Sequence, residues 1–91
     1  MPEQLSNEVL LQAAREYGTP LYLYHAEKIR EQYEKLVSGF SILDTRFFYA
    51  SKALTNISVM KDVKSIGCNI DCSSINEVKL SLHASFDYSQ I

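Results

Sequence analysis

The spacing of apolar residues near the start of the chain predicts one amphipathic helix followed by a short strand. Ser6 or Asn7 can cap this helix, because either side chain can accept a hydrogen bond from a free amide of the first turn. Gly18 and then Pro20 stand where a helix ends. The next residues, 21–24, read Leu-Tyr-Leu-Tyr, which predicts a short strand.

From residue 26 onward the pattern predicts helices that alternate with buried strands. Residues 26–38 have apolar positions three or four apart, which indicates a second helix. Residues 46–51 are apolar without alternation, which is typical of a strand covered on both faces. Asn56 can cap a third helix that ends at Gly67, and residues 68–73 form a second candidate strand.

A capping box of the form Ser-x-x-Glu at Ser74 and Glu77 predicts a fourth helix, which runs to about Ala84. Strands that alternate with helices through short connections indicate a parallel sheet with right-handed crossovers. Residues 86–91 read as a turn followed by the start of another apolar element. Two such strand–helix units do not close a sheet, so we expect the front of a larger α/β protein.

Composition narrows the class of protein further. The chain has 91 residues, 46% of them hydrophobic, and a formal net charge of -2, which favours a globular domain and gives no general attraction to nucleic acid. Its apolar stretches fall far short of the roughly 20 residues that cross a bilayer. The amino terminus lacks the pattern of a secretory signal, and two cysteines cannot form a disulfide framework. We therefore expect a cytoplasmic protein that binds neither membrane nor nucleic acid.

Lys52 is the first candidate for chemistry. It directly follows the apolar strand predicted over residues 46–51, and parallel α/β proteins build their active sites at that end of a strand. A partly desolvated lysine there is a better nucleophile and can form a Schiff base. The alternative is a solvated lysine that begins a surface loop.

Two carboxylates could share the same edge of the sheet. Asp71 lies in the next strand, and adjacent strands are ~4.8 Å apart, so its side chain could approach the Lys52 amine. Alternatively, Asp71 binds loop amides at a strand end. Glu77 belongs to the capping box, which explains it without a site, although that helix begins at the same edge.

Other chemistry has little support in the residues. Cys68 and Cys72 do not have the spacing of a zinc pair, and there is no second Cys/His pair, so we expect two reduced thiols and no metal. Three scattered glycines form no dinucleotide-binding or Walker pattern. Most of a phosphate site, if one exists, would therefore lie elsewhere.

Three segments together resemble a known family. They are Tyr-Gly-Thr-Pro-Leu-Tyr-Leu-Tyr at 17–24, Phe-Tyr-Ala-Ser-Lys-Ala at 48–53, and Ile-Asp-Cys-Ser-Ser-Ile-Asn-Glu-Val at 70–78. In this order and spacing they resemble the opening of the diaminopimelate decarboxylases. Those enzymes belong to the pyridoxal-phosphate decarboxylases with an alanine-racemase-like barrel, a (β/α)8 TIM barrel.

The resemblance implies roles for three residues. Lys52 matches the lysine that binds pyridoxal 5′-phosphate covalently, while Asp71 and Glu77 match acidic residues beside it. It also implies that residues 1–25 form a helix and a strand of a separate β-domain. Residues 26–91 would then be the first helix and the first two βα units of an incomplete barrel. The phosphate loop and the substrate-binding residues would lie beyond Ile91.

The activity implied is decarboxylation of meso-diaminopimelate to L-lysine and CO₂ by a homodimer that acts on a small-molecule amino acid. The isolated 91-residue chain is expected to be inactive, because its site is incomplete. Three alternatives remain open. The first two are a decarboxylase for ornithine, arginine or a carboxylated polyamine, and a non-catalytic barrel that carries pyridoxal phosphate. A truncated product with no activity of its own is a third.

Overall fold

The computed structural model describes residues 5–91, which contain four helices and a two-stranded sheet. Two short 3-10 turns lie at Ser51–Ala53 and Tyr88–Gln90. In chain order the elements are α1 Asn7–Tyr17, α2 Ala26–Gly39, β1 Phe48–Ala50, α3 Ile57–Ser65, β2 Asn69–Asp71 and α4 Ile75–His83. The predicted α/β class and all four predicted helices are therefore confirmed.

Side chains cap three helices at the positions that the sequence predicts, two of them described here and the third, at the start of α4, with the candidate site. Ser6 Oγ accepts from the Val9 amide at 3.2 Å and so begins α1. Asn56 Oδ1 accepts from the amides of the second and third residues of its helix, at 3.0 and 3.2 Å, and so begins α3. Because each cap satisfies amides that the helix itself leaves free, local sequence sets these starting points.

The two strands run parallel and are shorter than predicted. Phe48 pairs with Asn69, and Ala50 pairs with Asp71 at the carboxyl ends. The regular ladder covers 48–50 and 69–71, whereas the sequence predicts strands over 46–51 and 68–73. Each strand has one neighbouring strand among residues 5–91. The residues at the ends of the two predicted segments therefore have no further strand with which to form ladder hydrogen bonds.

The strand predicted over residues 21–24 is not formed in this structure. The structure gives this segment no regular secondary structure between α1 and α2. Its alternating leucines and tyrosines favour a pleated backbone, but a strand also needs a hydrogen-bonded neighbour. Within the described range the sheet contains β1 and β2 alone, and neither pairs with this segment.

The hydrophobic core lies between α3, β2 and the end of α4. Met60 and Ile70 are fully buried at its centre. The other core members are Val59, Val63, Cys68, Ala84 and Phe86. No residue of α1 or α2, both of which lie wholly in the described range, is buried.

Aromatic contacts link α2 to this core. Tyr33 meets Phe47 edge to face with ring centroids 6.0 Å apart, and Phe40 meets the same ring at 5.8 Å. Such edge-to-face pairs add to the energy of burial alone. The residue just before β1 therefore holds the second helix against the sheet.

Candidate active site at the carboxyl ends of the strands

The structure brings the ends of β1 and β2 side by side, as the sequence predicts. Ala50 and Asp71 are register partners at the last position of their strands. Lys52 follows in the 3-10 turn Ser51–Ala53 and is exposed. Asp71 is also exposed, so a lysine just after β1 and a carboxylate at the end of β2 stand at one edge of the sheet.

Glu77 enters the same edge from the first turn of α4. Its side chain is buried, with 8% of its surface exposed. The carboxylate accepts from the Ser51 hydroxyl at 2.5 Å through Oε1 and from the Ser74 hydroxyl at 2.8 Å through Oε2. Both carboxylate oxygens are thus satisfied by hydroxyl donors, as a buried charge requires.

One of the two hydrogen bonds of the predicted capping box is present. Ser74 Oγ accepts from the Glu77 amide at 3.2 Å, which is the expected N-cap bond of α4. The Glu77 carboxylate does not return to the Ser74 amide and instead takes the two serine hydroxyls. Glu77 therefore connects α4 to the end of β1, which a helix cap alone does not explain.

Ser51 is the site residue that sequence reasoning missed. It is fully buried, and its hydroxyl lies 3.1 Å from the Asp71 carbonyl as well as 2.5 Å from Glu77 Oε1. Because a hydroxyl has one proton, the closer, ionised carboxylate is its main acceptor. The sequence contains a signal for this role, because Ser51 is a polar residue at the end of an otherwise apolar segment, directly before Lys52.

Further bonds hold the turn that carries Lys52. The Ser51 carbonyl accepts from the Leu54 amide at 3.2 Å and from the Thr55 hydroxyl at 2.9 Å. The Tyr49 hydroxyl donates to the Leu54 carbonyl at 2.8 Å. The backbone on both sides of Lys52 is therefore anchored, while its side chain remains exposed.

The electrostatics of the site favour an ionised Glu77. Hydrogen bonds from Ser51, the largest cause, and from Ser74 lower the pKa of the Glu77 carboxyl. Burial opposes them, and the positive charge of Lys52 adds a smaller lowering of that pKa. The site thus presents a fixed negative charge close enough to Lys52 to feel its field.

The expected approach of Asp71 to the Lys52 amine is not formed. The ion pairs found among residues 5–91 do not include these two side chains. Asp71 instead contacts the site through its backbone carbonyl, which faces the Ser51 hydroxyl. Lys52 is exposed in the 3-10 turn after β1, as in the alternative of a solvated lysine at the start of a loop.

The residues present fit the aldehyde end of pyridoxal phosphate. An exposed primary amine on an anchored turn is reachable by an aldehyde, and the carboxylates of Asp71 and Glu77 lie on the adjoining elements. Cationic or amide donors for the phosphate are needed in addition, since carboxylates repel it. The donor set of this edge therefore suits the reactive carbon of the cofactor and not its phosphate.

The cysteines take no part in this edge as ligands. Cys68 is buried in the core, where burial raises the pKa of its thiol, and Cys72 is half-buried beside the Ser81 hydroxyl at 3.2 Å. Across residues 5–91, no three His, Cys, Asp or Glu side chains gather as a metal site. No helix in this range is both long and apolar enough to span a membrane.

Comparison with known proteins identifies the class. The family model described as pyridoxal-dependent decarboxylase, pyridoxal binding domain, matches residues 26–91. The chain therefore belongs to the pyridoxal-dependent decarboxylase family. This confirms the resemblance, and pyridoxal phosphate is the cofactor that the family indicates.

Individual relatives carry one shared name, diaminopimelate decarboxylase. The Methanothermobacter thermautotrophicus protein is 43% identical over 83 residues, which are 89% of this chain and 19% of the relative. The Campylobacter jejuni protein is 36% identical over 73 residues, 80% of this chain and 18% of the relative. The Streptomyces coelicolor protein is 34% identical over 86 residues, 94% of this chain and 18% of the relative. The chain thus spans less than a fifth of each, and no solved structure matches it significantly.

Proposed function

We propose that this chain is the amino-terminal part of a diaminopimelate decarboxylase, which converts meso-diaminopimelate to L-lysine and CO₂. The observation that carries the proposal is the exposed amine of Lys52 at the carboxyl end of β1, beside the carboxylates of β2 and α4. The names of the relatives support the choice of substrate.

Each of the three proposed site residues has a separate task. Lys52 supplies the amine that binds the aldehyde of pyridoxal phosphate covalently. Glu77, fixed by two serine hydroxyls, holds a negative charge that interacts electrostatically with Lys52. Asp71 provides an exposed second carboxylate one strand away. When bound, the cofactor supplies the ring that accepts the electron pair left by departing CO₂.

The proposal extends to the architecture of the whole protein. Two parallel strands, each followed by a helix, fit the opening units of a (β/α)8 barrel, and such barrels place their sites at the carboxyl ends of the strands. We propose that residues 1–25 belong to a separate β-domain and that the barrel portion begins at residue 26. The match of the family model to residues 26–91 supports this boundary. Residues 1–4 lie outside the described residues.

We further propose a cytoplasmic homodimer. The described edge provides groups for the aldehyde but not for the phosphate, so other parts of the protein or a second subunit have to complete the site. The two cysteines are free thiols, as is usual in a reducing compartment.

Borohydride reduction tests the cofactor assignment directly. The complete gene product that contains these residues is incubated with pyridoxal phosphate, reduced and digested for peptide mass spectrometry. We expect a phosphopyridoxyl group on Lys52 and none on the exposed Lys61 of α3. Scattered labelling, or none at Lys52, would mean that Lys52 is an ordinary surface lysine.

Release of CO₂ from a panel of amino acids tests the substrate. We expect turnover of meso-diaminopimelate and little of ornithine, arginine or a carboxylated polyamine. Preference for one of the latter would assign another decarboxylase of the same fold, and labelling of Lys52 without any turnover would favour a non-catalytic carrier. The isolated 91-residue chain is expected to release no CO₂.

A further inference from the structure

The Ser51 hydroxyl contacts two other elements of the candidate site. It is fully buried, so water cannot replace its partners. It donates to Glu77 Oε1 at 2.5 Å and lies 3.1 Å from the Asp71 carbonyl. One side chain thus joins the ends of β1 and β2 and the first turn of α4.

The backbone of Ser51 is held as tightly as its side chain. Its carbonyl accepts from the Leu54 amide and the Thr55 hydroxyl, which closes the turn after β1. Lys52 is the next residue and sits in that turn. Any displacement of Ser51 therefore moves the base of the Lys52 side chain.

We propose that Ser51 is a positioning residue for Lys52, whose buried hydroxyl ties the turn bearing that lysine to the Glu77 carboxylate and the end of β2. The proposal rests on the proposed function, because it concerns how Lys52 is presented to the aldehyde of pyridoxal phosphate. Loss of the hydroxyl would leave a buried carboxylate oxygen without its donor, and such unpaired charges are unfavourable enough to force a local rearrangement.

Ser81 offers a matched control within the same structure. It is also a fully buried serine, and its hydroxyl donates to the Glu77 carbonyl at 2.8 Å. That bond stays within α4, and the other contact of the Ser81 hydroxyl, 3.2 Å to Cys72 Sγ, does not involve the turn that carries Lys52. Ser81→Ala therefore removes a buried hydroxyl of the same size without releasing the turn at Lys52.

Two cofactor forms separate positioning from general stability. Pyridoxal 5′-phosphate binds covalently through its aldehyde, whereas pyridoxamine 5′-phosphate has an amine there and cannot react with a lysine. A residue that positions Lys52 contributes to affinity for the aldehyde form alone. A residue that merely holds the fold together contributes to both.

The test measures equilibrium binding of both forms to the complete gene product and its variants. For Ser51→Ala we expect about tenfold weaker binding of pyridoxal phosphate, in line with the loss of one hydrogen bond to a charged group. Binding of pyridoxamine phosphate should change by less than about twofold, and Ser81→Ala should have little effect on either. Equal weakening of both forms, or unchanged binding of the aldehyde form, would overturn the proposal.

A second variant keeps the test decisive if Ser51→Ala does not fold. Ser51→Cys keeps nearly the same side-chain shape but replaces the hydroxyl with a weaker thiol donor, so we expect the same selective loss at a smaller size. Unselective weakening in this variant would also overturn the proposal. Failure of Lys52 to become labelled in the unaltered protein would instead overturn the proposed function itself, which separates the two results.

Discussion

The two halves of this chain differ in how their helices are stabilised. The first half, residues 5–43, contains α1 and α2, in which no described residue is buried. The second half, residues 46–86, contains every core residue found in the described range and all three proposed site residues. Both halves have amphipathic helices with good local signals, so the difference arises from tertiary contact and not from helix propensity.

Apolar side chains show the difference most clearly. Leu10 in α1 is 43% exposed, whereas Met60 in α3 is 0% exposed. Each lies on the apolar face of its helix, but only α3 has a sheet and a second helix against that face. An amphipathic pattern thus predicts which face can be buried, and the presence of a partner decides whether it is.

The largest expected effect concerns the site that the second half carries. Lys52→Ala should abolish both the phosphopyridoxyl label and decarboxylation, because the segments that follow the two described strands, 51–56 and 72–74, contain no other lysine. Lys61→Ala, on the exposed side of α3, is the matched control and should retain both. Peptide mass spectrometry and CO₂ release measure the result, and full activity of the Lys52 variant would refute the site.

Truncation of matched apolar residues compares the two halves directly. Met60→Ala should lower the free energy of unfolding by about 2–5 kcal/mol, the range for a cavity in a packed core. Leu10→Ala should lower it by less than about 1 kcal/mol, since the side chain already contacts solvent. Urea unfolding of the complete gene product measures both, and a large loss for Leu10→Ala would show that α1 is covered in that protein.

Helix caps provide a comparison between equivalent local features. Asn56→Ala should lower the free energy of unfolding by about 1 kcal/mol, because α3 packs into the core. Ser6→Ala removes the cap of α1, whose fraying disturbs no buried residue, so its effect should stay within about 0.5 kcal/mol. Equal losses in urea unfolding would contradict the division into two differently stabilised halves.

The smallest expected effect is a loss of thermal stability at acid pH, which should arise in the second half when Glu77 becomes protonated. A carboxyl group whose pKa is lowered by folding stabilises the folded state above its ordinary pKa of 4.5, and this stabilisation disappears as pH falls through the lowered value. The unaltered protein should therefore lose more thermal stability between pH 6 and 3 than the Glu77→Gln variant does.

The exposed Glu34 of α2 gives the control for that measurement. Glu34→Gln changes the same chemical group in the first half, where the side chain is exposed to solvent. The melting temperature of this variant should follow that of the unaltered protein across the same pH range. If both variants flatten the profile equally, the effect belongs to net charge and not to the Ser51–Glu77 bond.

Local sequence was sufficient for the helices and for the position of Lys52. Ser6 and Asn56 cap their helices as predicted, because a cap needs only a side-chain acceptor next to free amides. Lys52 follows a buried-type strand in the sequence and follows β1 in the structure. These features depend on residues no more than a few positions apart, which is why the sequence predicts them.

Tertiary structure decided the contacts between distant residues. Ser51 and Glu77 are 26 positions apart, and their bond exists because the pairing of β1 with β2 brings α4 to the end of β1. The same dependence on partners left residues 21–24 without a strand, although their pattern favours one. Sequence determined which groups stand at the end of each strand, and packing determined that a serine, not Asp71, links Lys52 to its surroundings.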